Sequence, residues 1–442
     1  MSASVHVDRR PVVGVIGLGY VGLPLLLAFR RAGCEVVGID VDPTKVTSLQ
    51  QGRSYLAHLP DSELEILSRG ARFATAPGPL SEVEAIVIAV PTPLAGPPGP
   101  GEIPEPDLSY VVATARDLGP HLRAGQLVSL ESTTWPGTTR EVLVPMLEAA
   151  SGLVAGTDFL VAFSPERVDP GNPRHDISDI PKIVSGLDAA SLERAIALYH
   201  LIVPQIVPVS SPEAAEMAKL LENIYRTVNI ALVNELKLLS HAMGLDIWEV
   251  ISAAATKPFG FQAFYPGPGL GGHCLPIDPF YPAWRARQRY GFETRFITLA
   301  GEVNAAMPGY VLERTVQALE ADGSPIGGAD ILLLGMAYKQ DIGDTRESPG
   351  LHLLHLFEEA GARVGYHDPF IPELPRTRDF PQYAGRVSED LTPERLAAAD
   401  AVVVVTDHGR VDYGLVAEHA RLIVDTRNAL RGRTVKGRVV GA

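Results

Sequence analysis

The sequence predicts an α/β protein made of two Rossmann-like doubly wound domains, joined by a long central helix and a helical middle domain. Three observations carry that prediction. Short β-branched runs alternate with helical stretches over about the first third of the chain; one helical periodicity runs unbroken over 212–243; and a second alternating series begins near Asp330. Strands separated by helices are the signature of parallel βαβ units, whose sheet is covered on both faces. At 442 residues the chain also exceeds what a single core serves. Domain boundaries are expected at 1–210, 211–315 and 316–442.

In chain order, 12–16 reads as a strand, 25–31 as a helix, and 35–40, 85–90, 127–131 and 159–163 as further strands. The stretch 91–106 is a loop, because ten of its sixteen residues are Pro or Gly. Over 212–243 the residues Met217, Leu220, Leu221, Ile224, Val228, Leu232, Leu236, Leu239 and Met243 recur at helical spacing. Ser211-Pro212-Glu213 supplies an N-cap, a first-turn proline and an acid, and Gly244 supplies a stop. Such a helix is about 48 Å long at ~1.5 Å per residue. Strands are expected again at 331–334, 363–366, 401–405 and 422–424, with a helix at 350–360 between the first two.

Gly17-Leu18-Gly19-Tyr20-Val21-Gly22 follows the first strand and opens a helix, and Asp40 ends the next strand. A GxGxxG alone says little; in this setting it reads as a dinucleotide site. Gly17 allows the tight turn, Gly19 lets the pyrophosphate approach the backbone, and Gly22 permits close helix–strand packing. Asp40 would accept hydrogen bonds from ribose hydroxyls. With Asp42 close behind, it would repel a 2′-phosphate, so NAD is expected rather than NADP.

The chain has only two cysteines. Cys274 sits in Gly267-Pro268-Gly269-Leu270-Gly271-Gly272-His273-Cys274-Leu275-Pro276-Ile277-Asp278, where backbone rather than bulk would surround a small substrate. A thiol serving a nicotinamide site can hold an aldehyde as a thiohemiacetal, from which a second hydride can leave. Cys34 reads as structural. Two distant cysteines make no disulfide framework and suit a reducing cytoplasm. The net charge of −14 argues against a nucleic-acid partner. No apolar run approaches the ~20 residues of a membrane span, so no membrane association is expected. His352 and His355 are spaced like a ligand pair but have no evident third ligand, so no metal is expected.

Together these motifs resemble the nucleotide-sugar 6-dehydrogenases, the family of UDP-glucose and GDP-mannose dehydrogenases. The resemblance rests on 16–24, Ala89-Val90-Pro91-Thr92-Pro93, Glu131-Ser132-Thr133-Thr134, Phe163-Ser164-Pro165-Glu166-Arg167, Ala218-Lys219-Leu220-Leu221-Glu222-Asn223, 267–278, Leu334-Gly335-Met336-Ala337-Tyr338-Lys339 and Asp344-Thr345-Arg346-Glu347-Ser348. It implies a four-electron oxidation of a sugar C6 alcohol to the carboxylate with two NAD⁺. Cys274 would carry the thiohemiacetal and thioester. Lys219 and Asn223, four apart on one helix face, would stabilise the oxyanion. Asp278 would orient Lys219 or a water, and Glu166 would act as base or water-holder; the division of base duties among Lys219, Asp278 and Glu166 stays open. Tyr20, Val21, Lys45, Thr92, Thr133 and Arg346 would join the glycines and Asp40 around NAD, with Thr133 also close to the chemistry. Glu166, Arg167, Val168, Lys219, Asn223, Arg226, Lys257, Tyr265, Gly271, Tyr338, Lys339 and Arg427 would hold the nucleotide sugar. On this reading 1–210 binds NAD, 211–315 dimerises and carries Lys219, Asn223 and Cys274, and 316–442 binds the nucleotide sugar.

His273 stands where the UDP-glucose enzymes carry serine, and Pro170 where they carry a second glutamate. The runs 164–172 and 257–281 resemble the branch acting on UDP-N-acetylhexosamines, which implies UDP-N-acetylglucosamine as substrate, its uronic acid as product, and a place in polysaccharide biosynthesis. Oxidation of UDP-glucose or another nucleotide hexose is the alternative; a non-catalytic NAD sensor is a distant one, as it needs no Cys274. Val233, Leu236, Leu238 and Leu239 cannot all face one small domain, so a homodimer or higher oligomer is expected.

Overall fold

A computed structural model describes residues 10–56, 59–96, 103–167, 177–272 and 274–442. The chain forms two compact units, 1–222 with 280–292 and 223–279 with 293–442. Val168, Pro170 and His273 lie outside the described residues, as does part of the 91–106 stretch.

Among the described residues, the first unit holds eight strands: β1 Val12–Ile16, β2 Glu35–Ile39, β3 Ala71–Ala74, β4 Ala85–Ile88, β5 Leu127–Leu130, β6 Leu160–Phe163, β7 Lys182–Gly186 and β8 Ile206–Pro208. Their order is β3-β2-β1-β4-β5-β6-β7-β8. The first six run parallel in the order typical of dinucleotide-binding sheets. β7 turns back against β6, and β8 runs parallel to β7. β1, β4 and β5 are buried along their whole length, because helices cover both sheet faces. The helix Gly22–Arg31 packs Leu23, Leu25, Leu26, Leu27 and Phe29 against this sheet. It starts earlier than its apolar run suggests, because Gly22 lies tight against the turn at Gly17. Cys34 is buried in the same core, and burial raises its thiol pKa, as befits a structural cysteine.

The second unit holds β9 Asp330–Leu334, β10 Arg363–His367, β11 Ala401–Val404, β12 Leu422–Asp425 and β13 Arg438–Gly441, all parallel in the order β10-β9-β11-β12-β13. This is the other common doubly wound order. The helix Pro349–Glu359 buries Leu351, Leu353, Leu354 and Phe357 against it.

The helix Pro212–Ala242 contains the division between the units. Ser211 Oγ accepts from the N–H of Ala214 at 3.2 Å. Gly244, at φ +71°, ends it, and the N–H of Leu245 reaches back to the carbonyl of Ser240 at 2.8 Å. Its faces are inverted relative to an ordinary surface helix. Glu216, Lys219, Asn223, Thr227, Asn234 and Lys237 are buried, whereas Leu221, Leu232 and Leu239 stand 60%, 53% and 53% exposed. Asn234 is bonded on both sides of its amide: Nδ2 donates to Asn304 Oδ1 at 2.9 Å, and Oδ1 accepts from the N–H of Gly267 at 3.0 Å. Asn304 in turn donates to the carbonyl of Thr227 at 3.2 Å. A fully satisfied buried network of this kind fixes one arrangement of its members; here it ties the glycine-rich loop to two helices of the second unit.

Candidate active site

In the first unit the glycine turn has the shape its sequence implies. Gly17 sits at φ +90°, and a Cβ there would lie 2.4 Å from the carbonyl oxygen of Ala89. A Cβ on Gly22 would lie 1.8 Å from the oxygen of Gly17, while Gly19 faces open space. Asp40 is buried beside this turn. Its Oδ2 accepts from the N–H of Leu18 at 2.9 Å, its Oδ1 accepts from the N–H of Asp42 at 3.0 Å, and Lys45 Nζ lies 3.1 Å from Oδ2. The Tyr55 hydroxyl donates to the carbonyl of Leu18, and burial together with Asp40 and Asp42 raises its pKa far above the ordinary phenol value. Tyr20 and Val21 are half-buried at the mouth of the helix Gly22–Arg31, and Val21 precedes its first turn. Thr92 is buried, with its carbonyl held by the hydroxyl of Tyr281; Thr133 is half-buried just after β5. An open glycine backbone at a helix N-terminus with an anchored carboxylate alongside fits a dinucleotide.

Past the ends of β5 and β6, Glu131, Glu166 and Arg167 reach one edge of the same sheet, together with Lys182. Arg167 Nη2 and Nε lie 2.7 and 2.8 Å from Glu222 Oε1, and Nη1 donates to the carbonyl of Pro181 at 2.6 Å. Lys219 is buried, and no carboxylate pairs with it among the described residues. Burying a lysine without an ion partner is costly, which makes such a position a functional candidate.

In the second unit the carbonyl of Cys274 accepts from the N–H groups of Ile277 and Asp278 at 3.2 and 2.8 Å, which closes a turn around the half-buried thiol. Asp278 Oδ2 accepts from Asn223 Nδ2 at 2.6 Å, with both side chains buried. This bond joins the long helix to the turn and makes Asn223 the direct partner of Asp278. The loop before the thiol lies directly on the second sheet's loops. A Cβ on Gly271 would lie 2.6 Å from Tyr338 Cβ, one on Gly267 would lie 2.4 Å from Arg427 Nη1, and the N–H of Gly272 donates to the carbonyl of Arg346 at 3.0 Å. Arg346 forms a forked pair with Asp344, with Nη2 at 2.7 Å from Oδ2, and Arg427 Nε donates to the carbonyl of Val405 at 2.9 Å.

Cys274, Asn223, Asp278, Gly271, Tyr338, Arg346 and Arg427 are therefore drawn together in the second unit. Lys339 belongs to the same Tyr338 loop and is half-buried. Arg226, Lys257 and Tyr265 are exposed. Lys257 Nζ stands 5.1 Å from the Phe259 ring centroid, and Tyr265 stacks on Trp248 at 5.7 Å. His352 and His355 pack on Phe380, with ring centroids 4.9 and 5.3 Å away. Glu131 and Lys182 carry no individual signal in the sequence. Glu131 was visible only as part of a longer motif, and Lys182 as an ordinary residue before a β-branched run.

Comparison with known proteins agrees with this geometry. Residues 12–203, 213–306 and 332–432 match, in turn, the NAD binding domain, the central domain and the UDP binding domain of the UDP-glucose/GDP-mannose dehydrogenase family. The chain belongs to that family and is an NAD-dependent nucleotide-sugar oxidoreductase. It is 34% identical over 430 residues to the UDP-N-acetyl-D-mannosamine dehydrogenase of Pyrococcus horikoshii, covering 95% of this chain and 96% of that one. It is 35% identical over 360 residues to the UDP-N-acetyl-D-glucosamine 6-dehydrogenase of Pseudomonas aeruginosa, covering 81% and 83%. Among solved structures, a UDP-glucose dehydrogenase from Pyrobaculum islandicum superposes with a TM-score of 0.84 at 29% identity, covering 98% of both chains. No helix among the described residues is long and apolar enough to cross a membrane.

Proposed function

We propose that the chain oxidises the C6 alcohol of a UDP-N-acetylhexosamine, with UDP-N-acetylglucosamine first, to the carboxylate through covalent adducts on Cys274. The observation that carries this reading is the thiol turn itself: Cys274 lies in a loop packed on Tyr338 and Arg346, and the same turn ends in the buried Asp278–Asn223 pair. NAD⁺, when bound at the glycine turn and Asp40, accepts one hydride in each of two oxidations. Lys219 holds or moves the proton of the C6 hydroxyl, and with the Asn223 amide it stabilises the oxyanion. Cys274 Sγ adds to the aldehyde carbon and keeps it attached through the acyl stage. Water then adds to the thioester, with Glu166 or Asp278 taking its proton, and the carboxylate leaves as the thiol re-forms. Glu166, Arg167, Tyr338, Lys339 and Arg427 hold the nucleotide sugar; in this reading 1–210 chiefly serves the cofactor, 211–315 carries Lys219, Asn223 and Cys274, and 316–442 chiefly serves the nucleotide sugar.

The acetamido preference draws support from relatives named for N-acetylmannosamine and N-acetylglucosamine substrates, which share that group at C2. A site built to bond it disfavours the hydroxyl analogue, by about 10–200-fold when only pocket fit is lost. Initial NADH rates on UDP-N-acetylglucosamine, UDP-N-acetylmannosamine, UDP-N-acetylgalactosamine and UDP-glucose test the reading. Highest kcat/KM on UDP-N-acetylglucosamine supports it; highest kcat/KM on UDP-glucose overturns the sugar while leaving the covalent mechanism intact. The exposed apolar stripe of the long helix is covered, in the same reading, by a second copy of the chain.

A further inference from the structure

The reversed strand β7 pairs Ala162 with Gly186 and Phe163 with Ser185. Continuing that register beyond the strand end sets Glu166 opposite Lys182 and Arg167 opposite Pro181, and the Arg167–Pro181 bond at 2.6 Å follows the same register. Glu131 arrives at this edge as the first residue after β5. Lys182 Nζ lies 3.0 Å from Glu131 Oε2 and 4.0 Å from Glu166 Oε2. It also lies 5.0 Å from the ring centroid of buried Tyr199, whose hydroxyl is 2.8 Å from Ser129 Oγ. Lys182 and Glu131 are 4% and 2% exposed. Burial raises the Glu131 carboxyl pKa and Lys182 opposes it, while Oε1 of Glu131 has no hydrogen-bond partner among the described residues.

A buried ion pair stabilises a fold little compared with an apolar pair of the same volume, so stability does not explain charges at this place. Glu166 supplies a better reason. Its Oε1 accepts from the N–H of Arg167 at 2.7 Å, and its Oε2 is the oxygen that faces Lys182. The Arg167 guanidinium is engaged by Glu222 and Pro181. Lys182 and Glu131 are thus charged groups that face Glu166.

We propose that Lys182, anchored by Glu131, is a positioning residue that aims the Glu166 carboxyl from the sheet edge. The proposal rests on Glu166 acting as base or water-holder. Lys182→Met combined with Glu131→Gln removes both buried charges at similar volume and leaves no lone buried ion. That protein should lose at least about tenfold in kcat, with the KM for UDP-N-acetylglucosamine changed by less than about twofold. The acid limb of its pH–kcat profile should move up, by less than loss of the cation alone would give, because the repelling Glu131 carboxylate is removed with it. Glu131→Gln alone removes a repelling carboxylate and leaves the ammonium to Glu166, so its acid limb should move down. General damage to the fold does not produce shifts of opposite sign. An acid limb that stays in place in both proteins, or moves the same way in both, overturns the positioning role. Glu166→Gln with wild-type kcat overturns the underlying assignment of Glu166 instead.

Discussion

Gly272→Ala tests whether the thiol loop is held by backbone contact with Tyr338. Gly272 lies at φ +88°, a conformation that costs alanine about 1–2 kcal/mol. The added Cβ would lie 2.8, 3.1 and 3.1 Å from Cε2, Cδ2 and Cζ of Tyr338, and these ring atoms are its three nearest neighbours. Forcing a methyl into such a contact costs roughly 1–3 kcal/mol more. The single substitution should therefore destabilise the protein by about 2–5 kcal/mol. Tyr338→Ala removes the ring but leaves the backbone conformation unchanged. In that background Gly272→Ala should cost only the conformational share, giving a coupling of about 1–3 kcal/mol in a double-mutant cycle. Urea unfolding midpoints of the four proteins measure it. Equal costs of Gly272→Ala with and without the tyrosine ring would refute the packing argument.

Further outcomes follow from other contacts. Asp40→Ala deletes the acceptor for the N–H groups of Leu18 and Asp42 and the partner of Lys45. It should raise the NAD Michaelis constant about tenfold or more and narrow the preference over NADP, and an unchanged cofactor ratio would contradict the assignment. Leu232→Lys with Leu239→Lys places charge on the exposed apolar stripe and should convert a dimer to a monomer in sedimentation; a wild-type chain that is monomeric at micromolar concentration would contradict this. Burial alone would raise the Asp368 pKa, but the bond from His408 at 3.1 Å, the His408 charge and four backbone N–H groups outweigh burial and lower it. A folded pKa below the unfolded one gives stability that is present above about pH 4 and lost as pH falls through the folded value. The stability gap between wild type and Asp368→Asn should thus hold steady at neutral pH and narrow in acid, and a gap that widens in acid would refute it.

Much of this architecture was legible in the sequence because it rests on local rules. The run Val12–Ile16, the glycine turn and Asp40 declare themselves, since the turn needs residues without a Cβ and the sheet needs β-branched strands on both faces. The spacing of Lys219 and Asn223, and the place of Asp278 after Cys274, were legible, but the Asn223–Asp278 bond was not, because it depends on tertiary packing. β13 escaped because Arg438–Gly441 is a largely exposed edge strand with little apolar patterning. The helix Arg295–Ala321 escaped because Pro308-Gly309 in its middle reads as a break. The reversal of β7 left no local trace, and with it went the register that brings Lys182 to Glu166. The long helix was legible as a helix but not in its orientation. Its buried side is rich in polar groups satisfied by Asn304, Gly267 and Asp278, partners that periodicity does not reveal.

A four-electron oxidation carried on Cys274 is tested most directly by the amount of NADH formed per nucleotide sugar consumed, in the wild type and in Cys274→Ser. Two NADH per sugar, with the carboxylate as product, is the result expected of the wild type. Cys274→Ser should form no net carboxylate, because its hydroxyl is a far poorer nucleophile and leaving group than the thiol. One NADH per sugar in the wild type, or a full two-NADH yield from Cys274→Ser, would contradict the covalent mechanism.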